Sequence, residues 1–433
     1  MELSEIYELY LKHPVITTDS RECPENSIFF ALKGENFNGN AYASKALDEG
    51  CAYAVVDEKQ YAAKGDPRYI TVNNALETMQ QLAHLHRVTL GLPVIQITGT
   101  NGKTTTKELI SAVLAKKFNV LHTEGNFNNH IGAPKTLLRL TRKHQIAVIE
   151  TGANHPGEIA LLTKIVDPDY GIITNVGRAH LEGFGSFEGV VRTKCELYDY
   201  LRRKKGTTVF LNNDSDILCR MAEDLNTVRY GSSPADNLAV EGETVDCTPY
   251  LSFRWRQKGK EWNYIATKLI GDYNLSNLLA AVTAGLQFDI AAGDINSALA
   301  NYIPSNNRSQ LKQTENNTLI IDAYNANPVS MTAALKNFAD LHAAGKMVIL
   351  GQMGELGKES DEEHGRIIEF LSRANFDEVW LVGENFKKLA PPFRTFNNES
   401  EVETALKETP PVHRTILIKG SNSNKLYKLA DIL

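Results

Sequence analysis

The sequence has few cysteines and no long apolar run. Its five cysteines are odd in number and scattered, and they form no CxxC pair: Cys23, Cys51, Cys195, Cys219 and Cys247. This usage argues against a disulfide framework or a cysteine-based zinc site and favours a reducing compartment. No run of about 18 apolar residues occurs, and the acidic first ten residues lack the basic and apolar regions of a signal peptide. We therefore expect a cytoplasmic protein without membrane insertion.

A strong excess of charge of one sign is also missing. The 433 residues include 46 Lys and Arg and 52 Asp and Glu, a formal net charge of −6. This balance predicts no general attraction to nucleic acid or to an anionic membrane, so phosphate binding must come from local groups. The content of 42% hydrophobic and 23% charged residues is typical of a soluble globular protein. The length exceeds what one hydrophobic core usually supports, and we expect two or three domains in a monomer.

Apolar runs that alternate with helical patterns predict an α/β protein of three domains. Residues 1–90 are expected to form a small α/β domain, residues 91–303 a central domain with a parallel sheet, and residues 304–433 a Rossmann-like domain. The predicted strands cover residues 27–32, 51–56, 92–98, 145–149, 170–174, 318–322, 346–350, 378–382 and 415–419. The last domain lacks the GxGxxG fingerprint, so a nicotinamide cofactor is not implied.

The sharpest local signal is a glycine-rich loop between a predicted strand and a helical pattern at 107–117. The loop reads Thr98-Gly-Thr-Asn-Gly-Lys-Thr-Thr-Thr106. Its glycines allow backbone N–H groups to face phosphate oxygens, Lys103 can reach the β- and γ-phosphates, and Thr104 can ligate Mg²⁺. Ile97 stands where the full pattern has a glycine, so this is a shortened phosphate loop. The segment predicts that the central domain binds ATP.

Two polar residues follow other predicted strands of the central domain. Glu150 comes directly after the apolar run 146–149, and His180 lies beyond the run that ends at Thr174. Ligands gather at the carboxyl ends of strands in an open parallel sheet, so both side chains are expected on the rim that carries the phosphate loop. They are candidate Mg²⁺ ligands. The alternatives are a helix-capping or surface acid for Glu150 and a hydrogen-bonded loop histidine for His180.

Several motifs, in this order, resemble the Mur ligase superfamily, which also includes folylpolyglutamate synthase. They are Asp19-Ser-Arg21, Gly99-Thr-Asn-Gly-Lys-Thr104, Glu150-Thr-Gly152, Asn175-Val-Gly-Arg-Ala-His180, Arg192-Thr-Lys-Cys-Glu196, Gly271-Asp-Tyr-Asn-Leu-Ser-Asn277 and Arg308. Further segments resemble the members that add D-alanyl-D-alanine: Gly125-Asn-Phe-Asn-Asn129, Ile131-Gly132, Asp322-Ala-Tyr-Asn-Ala-Asn-Pro328 and Leu350-Gly-Gln-Met-Gly-Glu-Leu-Gly357. The similarity covers essentially the whole chain.

The resemblance implies a UDP-sugar domain, a central ATPase domain and a C-terminal domain that closes over the site. It assigns the UDP portion to Ser20 and Arg21. The implied ATP contacts are Gly99, Thr100, Asn101, Gly102, Lys103, Thr104, Thr105, Asn274, Asn277, Arg308 and Asp322. Two Mg²⁺ ions are implied at Thr104, Glu150, His180 and Lys194. The other substrate positions are Asn128, Asn129, Tyr324, Asn325 and Asn327.

Lys194 has an unusual role in this resemblance. The matching lysine of the family carries CO₂ as a carbamate, which helps to bind the second metal ion. A carbamate offers oxygen ligands, whereas two Mg²⁺ ions would repel a free ammonium. The alternative is a plain surface lysine on the helix expected at 187–201.

The implied reaction joins a carboxylate to an amine at the expense of ATP. The carboxylate of UDP-MurNAc-tripeptide attacks the γ-phosphate, and the amine of D-alanyl-D-alanine then displaces phosphate from the acyl-phosphate. Lys103, His180, Lys194 and Arg308 are the implied catalytic residues. The alternatives are a sibling ligase that adds the third amino acid to UDP-MurNAc-dipeptide, a folate polyglutamylating enzyme, and a phosphate-loop switch that ligates nothing. Residues 125–129 and 322–328 favour the dipeptide-adding reaction.

Overall fold

Three α/β units follow one another along the chain, which confirms the fold class expected from the sequence. The computed structural model describes residues 1–304 and 308–433. Within these residues the strands form sheets of four, nine and six strands and a two-stranded hairpin. No helix in the described part of the chain is long and apolar enough to span a bilayer.

The first unit is a parallel sheet in the order β1-β2-β5-β6, beside the hairpin of β3 and β4. Its strands are β1 (Ile16–Thr17), β2 (Ile28–Phe30), β3 (Lys33–Gly34), β4 (Phe37–Asn38), β5 (Tyr53–Val56) and β6 (Tyr69–Thr71). Its helices are α1 (Leu3–Lys12), α2 (Ala43–Asp48) and α3 (Ala75–Leu90). The central strands β2 and β5 are almost entirely buried, as expected for a parallel sheet covered on both faces.

Helix α3 joins the first unit to the second. The Asn74 side chain caps its start by accepting a hydrogen bond from the Glu77 N–H, and Gly91 ends it in the left-handed conformation at φ +64°. Its buried face packs in one hydrophobic cluster with Phe30 of β2 and Val94 of the next sheet. The first two units therefore share a continuous core.

The second unit is built on the nine-stranded sheet, in the order β15-β14-β13-β12-β11-β10-β7-β9-β8. Its strands are β7 (Val94–Thr98), β8 (Val120–His122), β9 (Ile146–Glu150), β10 (Tyr170–Ile173), β11 (Thr208–Asn212), β12 (Thr227–Gly231), β13 (Val240–Cys247), β14 (Leu251–Gln257) and β15 (Asn263–Ala266). Its helices are α4 (Lys103–Leu114), α5 (Gly132–Leu137), α6 (Glu158–Val166), α7 (Leu181–Phe184), α8 (Phe187–Arg203), α9 (Asp216–Met221), α10 (Leu275–Gln287) and α11 (Ala292–Asn301).

Strands β7 to β13 of this sheet run parallel, whereas the β13–β14 and β14–β15 pairs are antiparallel. Helices α4, α10 and α11 contribute to the core on one face, and α6 and α8 contribute to the core on the other. The order β10-β7-β9 places three parallel carboxyl ends side by side. Polar groups that follow these strands therefore collect at one rim.

The third unit is a six-stranded sheet in the order β16-β17-β21-β18-β19-β20, parallel except for the β16–β17 pair. Its strands are β16 (Gln310–Gln313), β17 (Asn317–Asp322), β18 (Lys346–Gly351), β19 (Glu378–Val382), β20 (Arg394–Phe396) and β21 (Arg414–Lys419). Its helices are α12 (Pro328–Asp340), α13 (Ser360–Arg373), α14 (Glu384–Lys387) and α15 (Glu399–Glu408).

Arg87 of α3 ties the first two units together, and its removal is expected to destabilise the protein. Its side chain is only 4% exposed and donates to the carbonyl oxygens of Val166 at 3.1 Å and Asp167 at 2.7 Å, and to the Asp169 carboxylate at 2.7 Å. Lys204 keeps Asp169 paired when Arg87 is absent. We therefore expect Arg87→Met to lower the free energy of unfolding by about 1–3 kcal/mol, mainly through the two carbonyls that lose their donor.

Urea unfolding followed by circular dichroism measures this change. Arg68→Met is the matched control, because Arg68 is half exposed and pairs only with nearby Asp66. Equal unfolding curves for the two variants would show that Arg87 does not hold the units together.

Candidate active site

A cleft of about 600 Å³ opens between the carboxyl rim of the central sheet and the third unit. The predicted site residues that line it are Thr100, Asn101, Gly102, Lys103, Thr104, Thr105, Asn128, Asn129, Glu150, His180, Asn274, Asn277, Arg308, Asp322, Tyr324 and Asn325. These residues come from seven separate stretches of the chain. The fold therefore brings most of the predicted site together in one cavity.

The phosphate loop forms the floor of this cleft between β7 and α4. Gly99 has φ +143°, and a Cβ there would lie 2.1 Å from the Thr174 hydroxyl, so only glycine fits. Lys103 donates to the carbonyl oxygens of Gly99 at 2.8 Å and Thr100 at 2.9 Å. Burial lowers the pKa of Lys103 to about 8. An anionic phosphate offers this ammonium a better partner than two loop carbonyls.

Glu150 is the last residue of β9 and is buried in the wall of the cleft. Its side chain is 1% exposed, which contradicts the alternative of a surface acid. Asn128 donates to one carboxylate oxygen at 2.8 Å, whereas the other oxygen, Oε2, has no hydrogen-bond partner among residues 1–304 and 308–433. A buried carboxylate oxygen without a partner carries a large desolvation cost. A cation bound in the cleft would remove that cost.

The donors around Glu150 fit Mg²⁺ rather than a metal held by protein alone. No group of three or more His, Cys, Asp or Glu side chains in the described part of the chain is arranged to hold a metal ion. Mg²⁺ commonly binds through one or two carboxylates together with substrate phosphates and waters. Buried Thr104, in the first turn of α4, and Glu150 supply oxygen donors of this kind.

His180 reaches the cleft from the loop after β10. Its backbone is left-handed, with φ +51°, and its Nδ1 contacts the Glu355 carboxylate of the third unit. Burial lowers the pKa of His180, and the neighbouring Glu355 carboxylate opposes that shift. Arg178 of the same loop pairs with Glu359 at 3.0 Å. Two side-chain contacts therefore join this loop to the third unit beside the cleft.

Lys194 lies behind the cleft wall on α8. It is 2% exposed, so the alternative of a plain surface lysine is wrong. Its Nζ donates to the carbonyl oxygen of Ala153 at 3.3 Å and lies 5.2 Å from the centroid of the Phe184 ring. Burial lowers the pKa of Lys194 to about 7, and the positive charge of Lys103 adds to the shift. A substantial fraction of this amine is neutral and nucleophilic near pH 7.

Asn274 and Asn277 are held in place by a chain of side-chain hydrogen bonds at the start of α10. The Asn277 amide donates to the Asn274 side-chain oxygen at 2.9 Å and accepts from the Thr106 hydroxyl at 3.0 Å. The Asn274 amide donates to the carbonyl oxygen of Ile270 at 2.8 Å. Both side chains are buried, so their orientation beside the phosphate loop is fixed before a nucleotide arrives.

The third unit contributes a second set of charges to the cleft. The Arg308 guanidinium lies over the Tyr324 ring, 3.8 Å from its centroid. Asp322, at the end of β17, accepts from Lys419 at 2.5 Å, and Lys419 is 1% exposed. The apolar run at 415–419 predicts a strand, but nothing in its sequence predicts a role for Lys419. Lys419 ends β21 directly beside Asp322, which ends β17. The one sequence feature that could have pointed to the pair is that a charged residue ends each of these two predicted strands.

Asn327 links the third unit directly to the phosphate loop. Its side chain caps α12, and its amide donates to the Asn101 side-chain oxygen at 2.7 Å. The Asn101 amide donates back to the Asn327 side-chain oxygen at 3.3 Å. This reciprocal pair holds the two units together on either side of the cleft.

Ser20 and Arg21 are not brought to this cleft. The Arg21 side chain is 82% exposed and pairs with Asp19 at 2.6 Å on the surface of the first unit. Neither residue lines the cavity. Their predicted contact with a UDP group therefore concerns a separate part of the molecule.

Comparisons with known proteins identify domains throughout the chain. The Mur ligase family catalytic domain matches residues 14–87, the Mur ligase middle domain matches residues 97–285, and the Mur ligase glutamate ligase domain matches residues 307–422. The UDP-N-acetylmuramoyl-tripeptide--D-alanyl-D-alanine ligase of Bacillus subtilis is 33% identical over 99% of this chain and 94% of that protein.

Solved structures show the same architecture. MurF from Acinetobacter baumannii is 29% identical and superposes with a TM-score of 0.87, covering 96% of this chain and 92% of that chain. The MurF ligase of Thermotoga maritima in complex with ADP is 23% identical and superposes with a TM-score of 0.84, covering 96% of both chains. At 23% identity, the likeness to the Thermotoga maritima structure shows a shared fold.

The lowered pKa of Lys103 predicts that nucleotide affinity depends on pH. Phosphate oxygens stabilise the ammonium, so binding raises its pKa and takes up a proton wherever the free protein has lost one. Because the pKa of Lys103 in the free protein is about 8, affinity should be highest below this pH. Above it, affinity should fall by up to about tenfold per pH unit. Calorimetric titration with a non-hydrolysable ATP analogue between pH 7 and 9.5 measures the trend.

Lys103→Arg is the control for this measurement. An arginine stays charged over the whole range, so the variant should lose the pH dependence even if it binds more weakly. An affinity of the wild-type protein that is constant from pH 7 to 9.5 would contradict the assignment of Lys103 to the phosphates.

Proposed function

Because the chain belongs to the Mur ligase family, we propose that it is an ATP-dependent ligase that adds D-alanyl-D-alanine to UDP-N-acetylmuramoyl-tripeptide. The product is the UDP-MurNAc-pentapeptide used in peptidoglycan synthesis. One observation carries the assignment to this cleft: the phosphate loop, Glu150 and Arg308 of another unit line the same cavity, and one Glu150 oxygen has no partner in the described part of the chain. A nucleotide switch does not require a second unit to complete its site.

The first step is the attack of the tripeptide carboxylate on the γ-phosphate of ATP. Backbone N–H groups of the phosphate loop and the N-terminus of α4 hold the phosphates, and the Lys103 ammonium balances the charge of the transferring phosphoryl group. Arg308 adds a second positive charge from the third unit. The work of these residues is positioning and electrostatic stabilisation, because the carboxylate itself is the nucleophile.

The second step is the attack of the dipeptide amine on the acyl-phosphate, with loss of phosphate. The two units enclose the cleft, and contacts such as Asn101–Asn327 keep it closed. Exclusion of water protects the acyl-phosphate from hydrolysis until the amine arrives. Asn128, Asn129, Tyr324 and Asn325 also line the cavity and are the proposed contacts of the peptide substrates.

We assign two Mg²⁺ ions to the ligands Thr104, Glu150, His180 and Lys194. Bound Mg²⁺ supplies positive charge that the phosphates need during transfer. The fit rests on the Glu150 oxygen that has no partner among the described residues and on the buried Lys194 amine, whose neutral form reacts with CO₂, releases a proton and gives a carbamate with oxygen ligands. The Lys194 Nζ lies 3.3 Å from the carbonyl oxygen of Ala153, and Ala153 lines the cleft together with Glu150, so the carbamate would form beside the cleft wall.

The three units are proposed to divide the substrates among them. Residues 1–90 hold the UDP-sugar through Ser20 and Arg21, residues 91–303 bind ATP, and residues 304–433 close the site. We further propose a cytoplasmic monomer whose partners are the small-molecule substrates, without nucleic acid or membrane insertion.

The proposed reaction is tested by mixing the protein with Mg-ATP, D-alanyl-D-alanine and UDP-MurNAc-tripeptide. We expect UDP-MurNAc-pentapeptide and phosphate in a one-to-one ratio, measured by mass spectrometry and a phosphate assay. Lys103→Ala should lower the rate about 100-fold or more, because it removes a charge that acts on the transferring phosphoryl group. Lys116→Ala, just beyond the other end of the same helix and exposed, should leave the rate unchanged. Phosphate release without pentapeptide would refute this choice of substrates.

The carbamate on Lys194 is tested by ¹³C NMR with ¹³C-labelled bicarbonate. A neutral amine reacts with CO₂, so the carbamate signal should grow as the pH rises through about 7, the pKa of Lys194. The signal should disappear in Lys194→Arg and persist in Lys116→Arg. Absence of a carbamate signal from the wild-type protein at pH 8 would exclude the modification.

A further inference from the structure

Ser309, the residue after Arg308, has a strained backbone at the edge of the cleft. Its φ is +47°, in the left-handed region that residues other than glycine seldom adopt. Its side chain is buried and lines the cavity. A single strained residue of this kind persists only where surrounding contacts hold it, and such residues concentrate at functional sites. The contact that holds Ser309 therefore bears on Arg308.

That contact is a hydrogen bond to the central unit. The Tyr273 hydroxyl and the Ser309 hydroxyl lie 3.0 Å apart. Tyr273 belongs to the turn Asp272–Asn274, immediately before Asn274. Its ring folds over Gly271, where a Cβ would lie 2.2 Å from the ring, so glycine at 271 is required for this placement. Burial raises the pKa of Tyr273, so its hydroxyl keeps its proton.

A contact within the third unit holds the Arg308 side chain. Its guanidinium stacks on Tyr324, and its Nε is buried without a partner among the described residues. Arg308 and Lys103 line the same cavity, so both positive charges face the space expected for the phosphates. Tyr324 thus restrains the side chain of Arg308, while the Tyr273–Ser309 bond restrains its backbone.

We infer that Tyr273 and Ser309 are positioning residues of the ligase reaction, whose hydrogen bond between the two units sets the backbone that directs Arg308 at the nucleotide phosphates. The inference rests on the proposed function, because it concerns the placement of Arg308 on ATP. The bond forms only when the third unit lies against the central one. The Tyr273–Ser309 bond therefore places the Arg308 charge at the phosphates only when the third unit is in contact with the central unit.

Hydroxyl deletion tests the inference directly. Tyr273→Phe and Ser309→Ala each remove one partner of the bond and nothing else. We expect each variant to lower kcat about threefold to tenfold, with KM for UDP-MurNAc-tripeptide unchanged, because the two hydroxyls are paired with each other and act on the placement of Arg308. The double variant should be no slower than the slower single variant, since both changes remove the same interaction.

Ser309→Gly separates positioning from stability. Glycine adopts positive φ without strain, so this variant should unfold at a temperature no lower than Ser309→Ala. It also lacks the hydroxyl, so its kcat should fall as in Ser309→Ala. A purely structural role would make kcat follow stability, and then Ser309→Gly would be more active than Ser309→Ala wherever it is the more stable of the two.

Tyr198→Phe is the control, because the buried Tyr198 hydroxyl has no hydrogen-bond partner in the described part of the chain. Its kcat should equal that of the wild-type protein. The inference is overturned if Tyr273→Phe and Ser309→Ala keep wild-type kcat, or if their losses multiply in the double variant.

If the wild-type protein makes no pentapeptide, the proposed function fails instead. The affinity for a non-hydrolysable ATP analogue then decides, and equal affinities of wild type and Tyr273→Phe overturn the inference.

Discussion

The need to balance buried charge around the phosphate loop is the constraint on which the site depends. Lys194 is buried and Lys103 is half-buried, and desolvation lowers the pKa of each. Glu150 is as buried as Lys194, and one of its carboxylate oxygens has no partner in the described residues. Such groups are expensive to keep without ligands. In the proposed reaction, the phosphates of ATP, Mg²⁺ and a carbamate on Lys194 would together supply the missing partners.

The parallel sheet and the third unit each contribute charged groups to the site. Strands β7, β9 and β10 lie side by side, so that the phosphate loop, Glu150 and the loop carrying His180 meet at one rim. The third unit adds Arg308 and the buried Asp322–Lys419 pair across the cleft. Contacts of Asn101 with Asn327 and of His180 with Glu355 hold the two sides together. Neither unit alone contains the complete set of charges.

Local patterns predicted the architecture and most of the cleft, because strand ends and glycine loops have clear signatures. The strand expected at 378–382 has those bounds, whereas the helix expected at 107–117 begins at Lys103 and ends at Leu114. Its first turn holds polar threonines that face the phosphate site, so apolar periodicity could not detect it. Lys419 pairs with Asp322 across 97 residues of sequence. Such a pairing depends on strand register, which a single sequence does not reveal.

The proposed function depends on the conversion of the tripeptide carboxylate into an acyl-phosphate in this cleft. Its most direct test is a reaction with UDP-MurNAc-tripeptide labelled with ¹⁸O in the reacting carboxylate, followed by mass spectrometry of the released phosphate. In the proposed reaction one carboxylate oxygen becomes the bridging oxygen and leaves with the phosphoryl group. We therefore expect one ¹⁸O in each phosphate that is released. Phosphate without ¹⁸O, formed together with pentapeptide, would contradict it.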